Sequence, residues 1–238
     1  MERNYLYGEL VEVSVAEECS RVLPVVEGIR QRIDVPISVD TTRSAVARQV
    51  LEAGADIVND ISAFTDDPGM LDVVASSGAA AVLMHRRGRS AVMQKNTNYD
   101  NLLEEVQGFL ADRVETAVAG GIERQRLVVD PGLGFGKNTA GNLSLIRNVG
   151  VFTALGLPVV IGASRKSFIW KSLGIEADEA LEGSLAVAVL AAARGAQILR
   201  VHDVVETVRA LRMTQIVEGA SVMAAQSPEL SAATPWQG

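Results

Sequence analysis

"VVIGASRKSF", Val159–Phe168, carries the reading of the fold. Val159, Val160 and Ile161 run into Gly162, and then Arg165 and Lys166 stand between Ser164 and Ser167. A short run of consecutive β-branched residues fits a strand buried on both faces, as in a parallel sheet covered by helices. In such architectures the C-terminal ends of the strands share one rim, and that rim carries the chemistry. Two cations at a strand end therefore matter only if other strands finish in the same way.

They do. Ile37–Val39 ends at Asp40, Ile57–Val58 at Asn59 and Asp60, and Ala80–Met84 at His85. Leu127–Val129 ends at Asp130, and Ile198–Val201, which holds Arg200, reaches His202 and Asp203. Helices are predicted between these runs. Ser14-Val-Ala-Glu17 reads as a capping box ahead of a helix whose apolar face is Val15, Cys19, Val22, Val26 and Ile29. Thr42 is the expected cap of a helix closing at Gly54, and Asp67-Pro68 opens one that Gly78 closes. Leu103, Val106, Leu110, Val114 and Ala117 recur at helical spacing and stop at Gly120-Gly121.

The alternation predicts an α/β fold with about six parallel strands, either a doubly wound sheet or a (β/α)8 barrel. No signal puts a strand before the helix at 15–30, so the chain is expected to start on a helix. One domain is expected over 1–219, and the Ala-, Ser-, Pro- and Gln-rich segment 220–238 is expected to be a disordered tail. With 238 residues there is enough chain for a sizeable core, 48% apolar and only 4% aromatic. A net charge of −7 argues against nucleic acid and a polybasic membrane anchor, so cations at a site are local. Cys19 is the one cysteine, which excludes an intrachain disulfide and a cysteine metal cluster. With no secretory or spanning segment read, a cytoplasmic enzyme is the expectation.

Asp40, Asn59, His85, Asp130, Lys166, Arg200 and His202 thus fall at or just past strand ends. A lone Asp there is more often a helix cap than a ligand contact. The set is different: acceptors on the earlier strands suit the N–H edge of a flat aminated heterocycle, and the later cations suit a phosphate. Of the two neighbours Arg165 and Lys166, only one need face inward. "DPGLGFGKN" at Asp130–Asn138 has neither Walker spacing nor the Ser or Thr that would hold magnesium. It reads instead as a glycine loop that lets backbone and Phe135 approach a planar ligand.

"SVDTTR" at 38–43, "VNDIS" at 58–62, "VLMH" at 82–85, "DPGLGFGK" at 130–137, "GASRKSF" at 162–168 and "RVHDV" at 200–204 together resemble the motifs of dihydropteroate synthase. They stand in that family's order over roughly 14–217. The resemblance implies a (β/α)8 barrel that condenses 4-aminobenzoate with 6-hydroxymethyl-7,8-dihydropterin pyrophosphate, releasing pyrophosphate, in a cytoplasmic homodimer using Mg2+. It implies pterin hydrogen bonds from Asp40, Asn59 and Asp130, with Met84 beneath the ring and Gly162 allowing close approach. Lys166 would touch the pterin and border the aminobenzoate pocket with Phe135 and Ser167, and Arg200 and His202 would hold the pyrophosphate. Asp130, Lys166, Arg200 and His202 are the implied catalytic group.

The front departs from that pattern. The family's first strand, with its magnesium-binding Asn, and the Gly-Gly-Glu-Ser-Thr-Arg-Pro-Gly-like loop after its second have no match in "MERNYLYG". The barrel is expected to be short by about two βα units, and no metal ligand is assigned. A non-catalytic pterin-binding or oligomerisation subunit is the alternative. A pterin-binding methyltransferase domain ranks third, because the cations at 165–166 and 200–202 fit pyrophosphate better than a methyl donor.

Overall fold

The structure, a computed structural model, describes residues 5–6, 9–10, 13–88 and 97–219. Two short strands, β1 (Tyr5–Leu6) and β2 (Glu9–Leu10), pair antiparallel at the front, and then α1 (Val15–Arg30) follows. The expectation that the chain starts on a helix is thereby corrected. A two-residue strand carries no hydrophobic period to read, so the hairpin left no trace in the pattern.

From there strands and helices alternate: β3 (Ser38–Asp40), α2 (Ser44–Glu52), β4 (Ile57–Asp60), α3 (Gly69–Ser77), β5 (Ala80–Met84) and α4 (Leu102–Ala119). The second half runs β6 (Leu127–Asp130), α5 (Thr139–Arg147), α6 (Val149–Thr153), β7 (Val160–Ile161), α7 (Ser167–Leu173), α8 (Leu181–Ala193), β8 (Ile198–Leu199) and α9 (Val204–Val217). β3 to β6 form a parallel sheet in chain order, and β7 pairs parallel with β8. A bridge between Val129 and Val159, with the Val129 amide donating to Pro158 O at 3.0 Å, joins the two groups. Six parallel strands stand among the described residues, as the sequence predicts. The proposed tail at 220–238 lies outside the described residues.

This is a curved, barrel-type arrangement. Four steps separate β4 from β8, about 19 Å in a flat sheet at ~4.8 Å per strand. Yet Arg200, just past β8, puts Nη1 at 3.4 Å from Asn59 Oδ1 on β4. That is a closer approach than an arginine and an asparagine could bridge across a flat sheet. Curvature brings the strand C-termini inward, which is how a rim becomes a pocket.

Several helix ends follow the local chemistry. Ser14 Oγ accepts from the Glu17 amide at 3.2 Å and Asn101 Oδ1 from the Glu104 amide at 3.4 Å. Gly78 closes α3 with φ +69, a left-handed conformation that glycine takes without steric cost. Thr42 does not cap α2. The carboxylate of Asp67, reaching over from the next unit, accepts the Ser44 amide at 2.7 Å instead. α1 and α2 close over β3 through Cys19, Val26, Val39, Val46 and Val50, and Arg30 donates to Gly54 O to pin the end of α1. The main core gathers Met70, Leu83, Leu110, Leu127, Leu145 and Phe152, all fully buried.

Candidate active site

Strand register sets the first four contacts. In the β3–β4 ladder Asp40 stands opposite Asn59, and in β5–β6 Met84 stands opposite Asp130. Asn59 donates through Nδ2 to Asp40 Oδ1. Its Oδ1 accepts from Arg200, whose Nη2 lies 2.9 Å from Asp130 Oδ2. Asp130 Oδ1 accepts the Gly132 amide at 2.7 Å, and its carboxylate is 1% exposed. A continuous polar line therefore runs Asp40–Asn59–Arg200–Asp130 across the mouth. At Gly162 an added Cβ would meet Arg200 Nη2 at 2.8 Å, so a side chain there would have to displace the guanidinium. The close approach that Gly162 permits is that of the guanidinium.

The opening pair of cations separates. Arg165 takes φ +56, and its guanidinium turns outward to pair with Asp203. That left-handed step, costly for a non-glycine residue, is held by its amide donating to Ser184 Oγ at 3.0 Å. Lys166 then points inward, donates to Leu133 O, and lies 4.8 Å from the centre of the Phe135 ring. Burial lowers its pKa to about 8; Asp130 and Asp40 oppose that shift while Arg200 adds to it. Ser167 is exposed at the first position of α7. His202 is exposed too, and Ser164 Oγ holds its ring at 2.9 Å from Nδ1.

Two rim candidates do other work. His85 is buried and bonded to Lys137, so it does not join the polar line. Asp60 faces away from Asn59. It ties down the following turn by accepting the Ser62 amide at 2.7 Å and the Phe64 amide at 3.1 Å, and burial raises its pKa despite those bonds. Sequence reasoning missed Ser164, Asp203 and Lys137 as supports. The visible signals were position: Ser164 stands two residues ahead of Lys166, Asp203 next to His202, and Lys137 at the end of the glycine loop.

The arrangement offers acceptors for a flat donor-rich ring at Asp40, Asn59 and Asp130, beside the cationic side chains of Lys166 and Arg200 and the imidazole of His202. Known proteins resemble this chain in sequence and fold. A family model described as "Pterin binding enzyme" matches residues 8–202. The dihydropteroate synthase of Escherichia coli (strain K12) is 45% identical over 204 residues, covering 86% of this chain and 72% of that protein. A solved Xanthomonas albilineans dihydropteroate synthase with 4-aminobenzoic acid superposes with a TM-score of 0.84 at 41% identity, over 91% of this chain and 77% of that one. The same organism's enzyme in complex with 7,8-dihydropteroate gives 0.81 at 42% identity, over 87% and 76%.

Proposed function

The chain belongs to the pterin-binding enzyme family and, within it, to the dihydropteroate synthases; on that premise we propose that its mouth condenses 4-aminobenzoate with 6-hydroxymethyl-7,8-dihydropterin pyrophosphate. The observation that carries the reading is the Asp130–Arg200–Asn59–Asp40 line, which sets pterin-type acceptors and a phosphate-type cation side by side. Asp40, Asn59 and Asp130 hydrogen-bond the pterin edge, with Met84 below the ring and Gly162 behind Arg200. Arg200 and His202 take the pyrophosphate, and Lys166, Phe135 and Ser167 border the aminobenzoate.

Chemically, the methylene C–O bond breaks and its electron pair leaves with the pyrophosphate. The aromatic amine forms the new C–N bond to the same carbon and then loses its proton to solvent. Positive charge grows on the pterin methylene, where the Asp130 carboxylate stabilises it, and negative charge grows on the leaving group beside Arg200 and His202. The amine itself needs placement more than activation.

Magnesium is the family's expected partner of the pyrophosphate, but the described residues do not fit it. No group of three or more His, Cys, Asp or Glu gathers among them, and Asp130 and Asp203 are paired with Arg200 and Arg165. No described helix is long and apolar enough to cross a membrane, and a cytoplasmic location is proposed with it; fractionation that recovers the protein with membranes would count against it. A homodimer is proposed because α9 exposes Val204, Val205, Val208, Met213 and Ile216. A monomer mass in light scattering would refute that.

The function is tested by assaying dihydropteroate formation from the two substrates. Product dependent on both supports the enzyme. Pterin binding without product supports the non-catalytic subunit, and absence of both rejects the site. Arg200→Gln is expected to weaken the pyrophosphorylated pterin about tenfold more than the plain hydroxymethyl pterin, since a charge-assisted bond is lost only to the former. Equal losses in calorimetric titrations reject the leaving-group role.

A further inference from the structure

Lys137 is a buried amine that the proposed reaction leaves idle, its pKa lowered by burial to about 7, and its surroundings are built. Its ammonium has three N–H groups and three close acceptors: His85 Nδ1 at 2.9 Å, Gly132 O at 2.9 Å and Phe135 O at 3.0 Å. Each proton is spoken for. His85 can accept only if its own proton sits on Nε2, and the ring is otherwise fixed edge-on to Phe109 at 5.0 Å. Burial, with the neighbouring Lys137 charge, holds the His85 pKa at about 3, so the imidazole stays neutral.

The segment these bonds grip is the 132–136 loop, and further contacts along it tighten the hold. Tyr99 Oη donates to Gly136 O at 3.0 Å, and the Gly134 amide donates to Asn142 Oδ1 at 2.7 Å. An added Cβ at Gly132 would stand 1.9 Å from His85 O, and one at Gly136 would stand 2.9 Å from Arg87 Cβ. The loop is thus pressed against 85–87 with no slack. Its outer side is what the mouth uses: Leu133 O receives Lys166, and the Phe135 ring lies beside that ammonium.

We propose that Lys137 and His85 form a latch that positions the 132–136 loop and, through it, Phe135 and Lys166 for the aminobenzoate. The inference rests on the functional reading above for its ligand and on geometry alone for the loop. A latch residue acts through others, so Lys137 is a positioning residue. Its loss should be felt on aminobenzoate more than on the pterin, because Asp40 and Asn59 lie on β3 and β4 and Asp130, although its Oδ1 accepts the Gly132 amide, is also held by β6 and by Arg200.

The test replaces Lys137 by Met, which keeps length and removes the donors, in the full chain. Expected is an aminobenzoate KM raised about tenfold, with hydroxymethyl pterin affinity changed less than about threefold. Amides of 132–136 should exchange faster while those of β5 and α4 keep their protection. Equal weakening of both ligands, or an unchanged KM with a still-protected loop, overturns the latch. Should Lys137→Met fail to fold, Tyr99→Phe removes one loop bond and keeps the ring. The same selective pattern, about threefold, is expected of it, and its absence overturns the proposal. If the unsubstituted chain binds neither ligand, the functional reading fails, and exchange in the loop alone decides the latch.

Discussion

Asp130→Asn is expected to lower hydroxymethyl pterin affinity about a hundred- to a thousandfold while the chain stays folded. The carboxylate is the natural acceptor for adjacent N–H donors of the ring, and two charge-assisted bonds are worth about 1.5–3 kcal/mol each. The amide cannot repeat the role. Its oxygen is claimed by the Gly132 amide, which donates to Oδ1 at 2.7 Å, so its NH2 must face the Arg200 guanidinium, donor against donor. Arg200 then loses its partner and shifts, which also disturbs its contact with Asn59. The backbone bond to Gly132 survives, so the loop start and the fold persist. Fluorescence or calorimetric titration measures the affinity. A loss smaller than about threefold would remove Asp130 from the pterin site.

Lys166→Met should cost about a hundredfold in turnover at subsaturating aminobenzoate and should also erase a pH dependence. The sign follows from the direction of the shift. Burial lowers the Lys166 pKa to about 8, so the ammonium is present below that value and lost as pH rises through it. Activity limited by aminobenzoate should therefore fall on the alkaline side in the unsubstituted chain. A bound carboxylate or pyrophosphate favours the charged form and moves the fall to higher pH when substrate saturates. With Met there is no Lys166 proton to lose, and the fall centred near pH 8 should disappear. A variant that keeps the same alkaline fall shows that another group titrates and that Lys166 is not the source. Stability is expected to hold, because the ammonium makes one protein hydrogen bond, to Leu133 O, and a thioether is cheaper to bury than a cation.

Much of the scaffold was readable because it rests on local rules. Ala80–Met84 appears as a strand with the bounds its apolar run implies, and Val106, Leu110, Val114 and Ala117 form the buried face of α4. Asp40 and Asp130 close β3 and β6, and Asn59 is the next-to-last residue of β4; each stands where an apolar run meets its first polar residue. At α2 the reading failed because a distant residue had taken over a local task. Asp67 displaces Thr42 as the acceptor at the start of α2, and no rule about adjacent residues could foresee it.

What sequence alone determined is the succession of strand–helix units and the residue types delivered to the rim, since both depend on hydrophobic period and on where it stops. Only the tertiary structure decided which polar residue at each strand end serves the mouth. Asn59 enters the polar line while Asp60 closes a turn, Lys166 turns inward because Arg165 takes a positive φ, and His85 is withdrawn by a lysine from another loop. The physical reason is that neighbouring side chains differ in direction by backbone torsions, and burial obliges each polar group to find a partner that can lie anywhere in the chain.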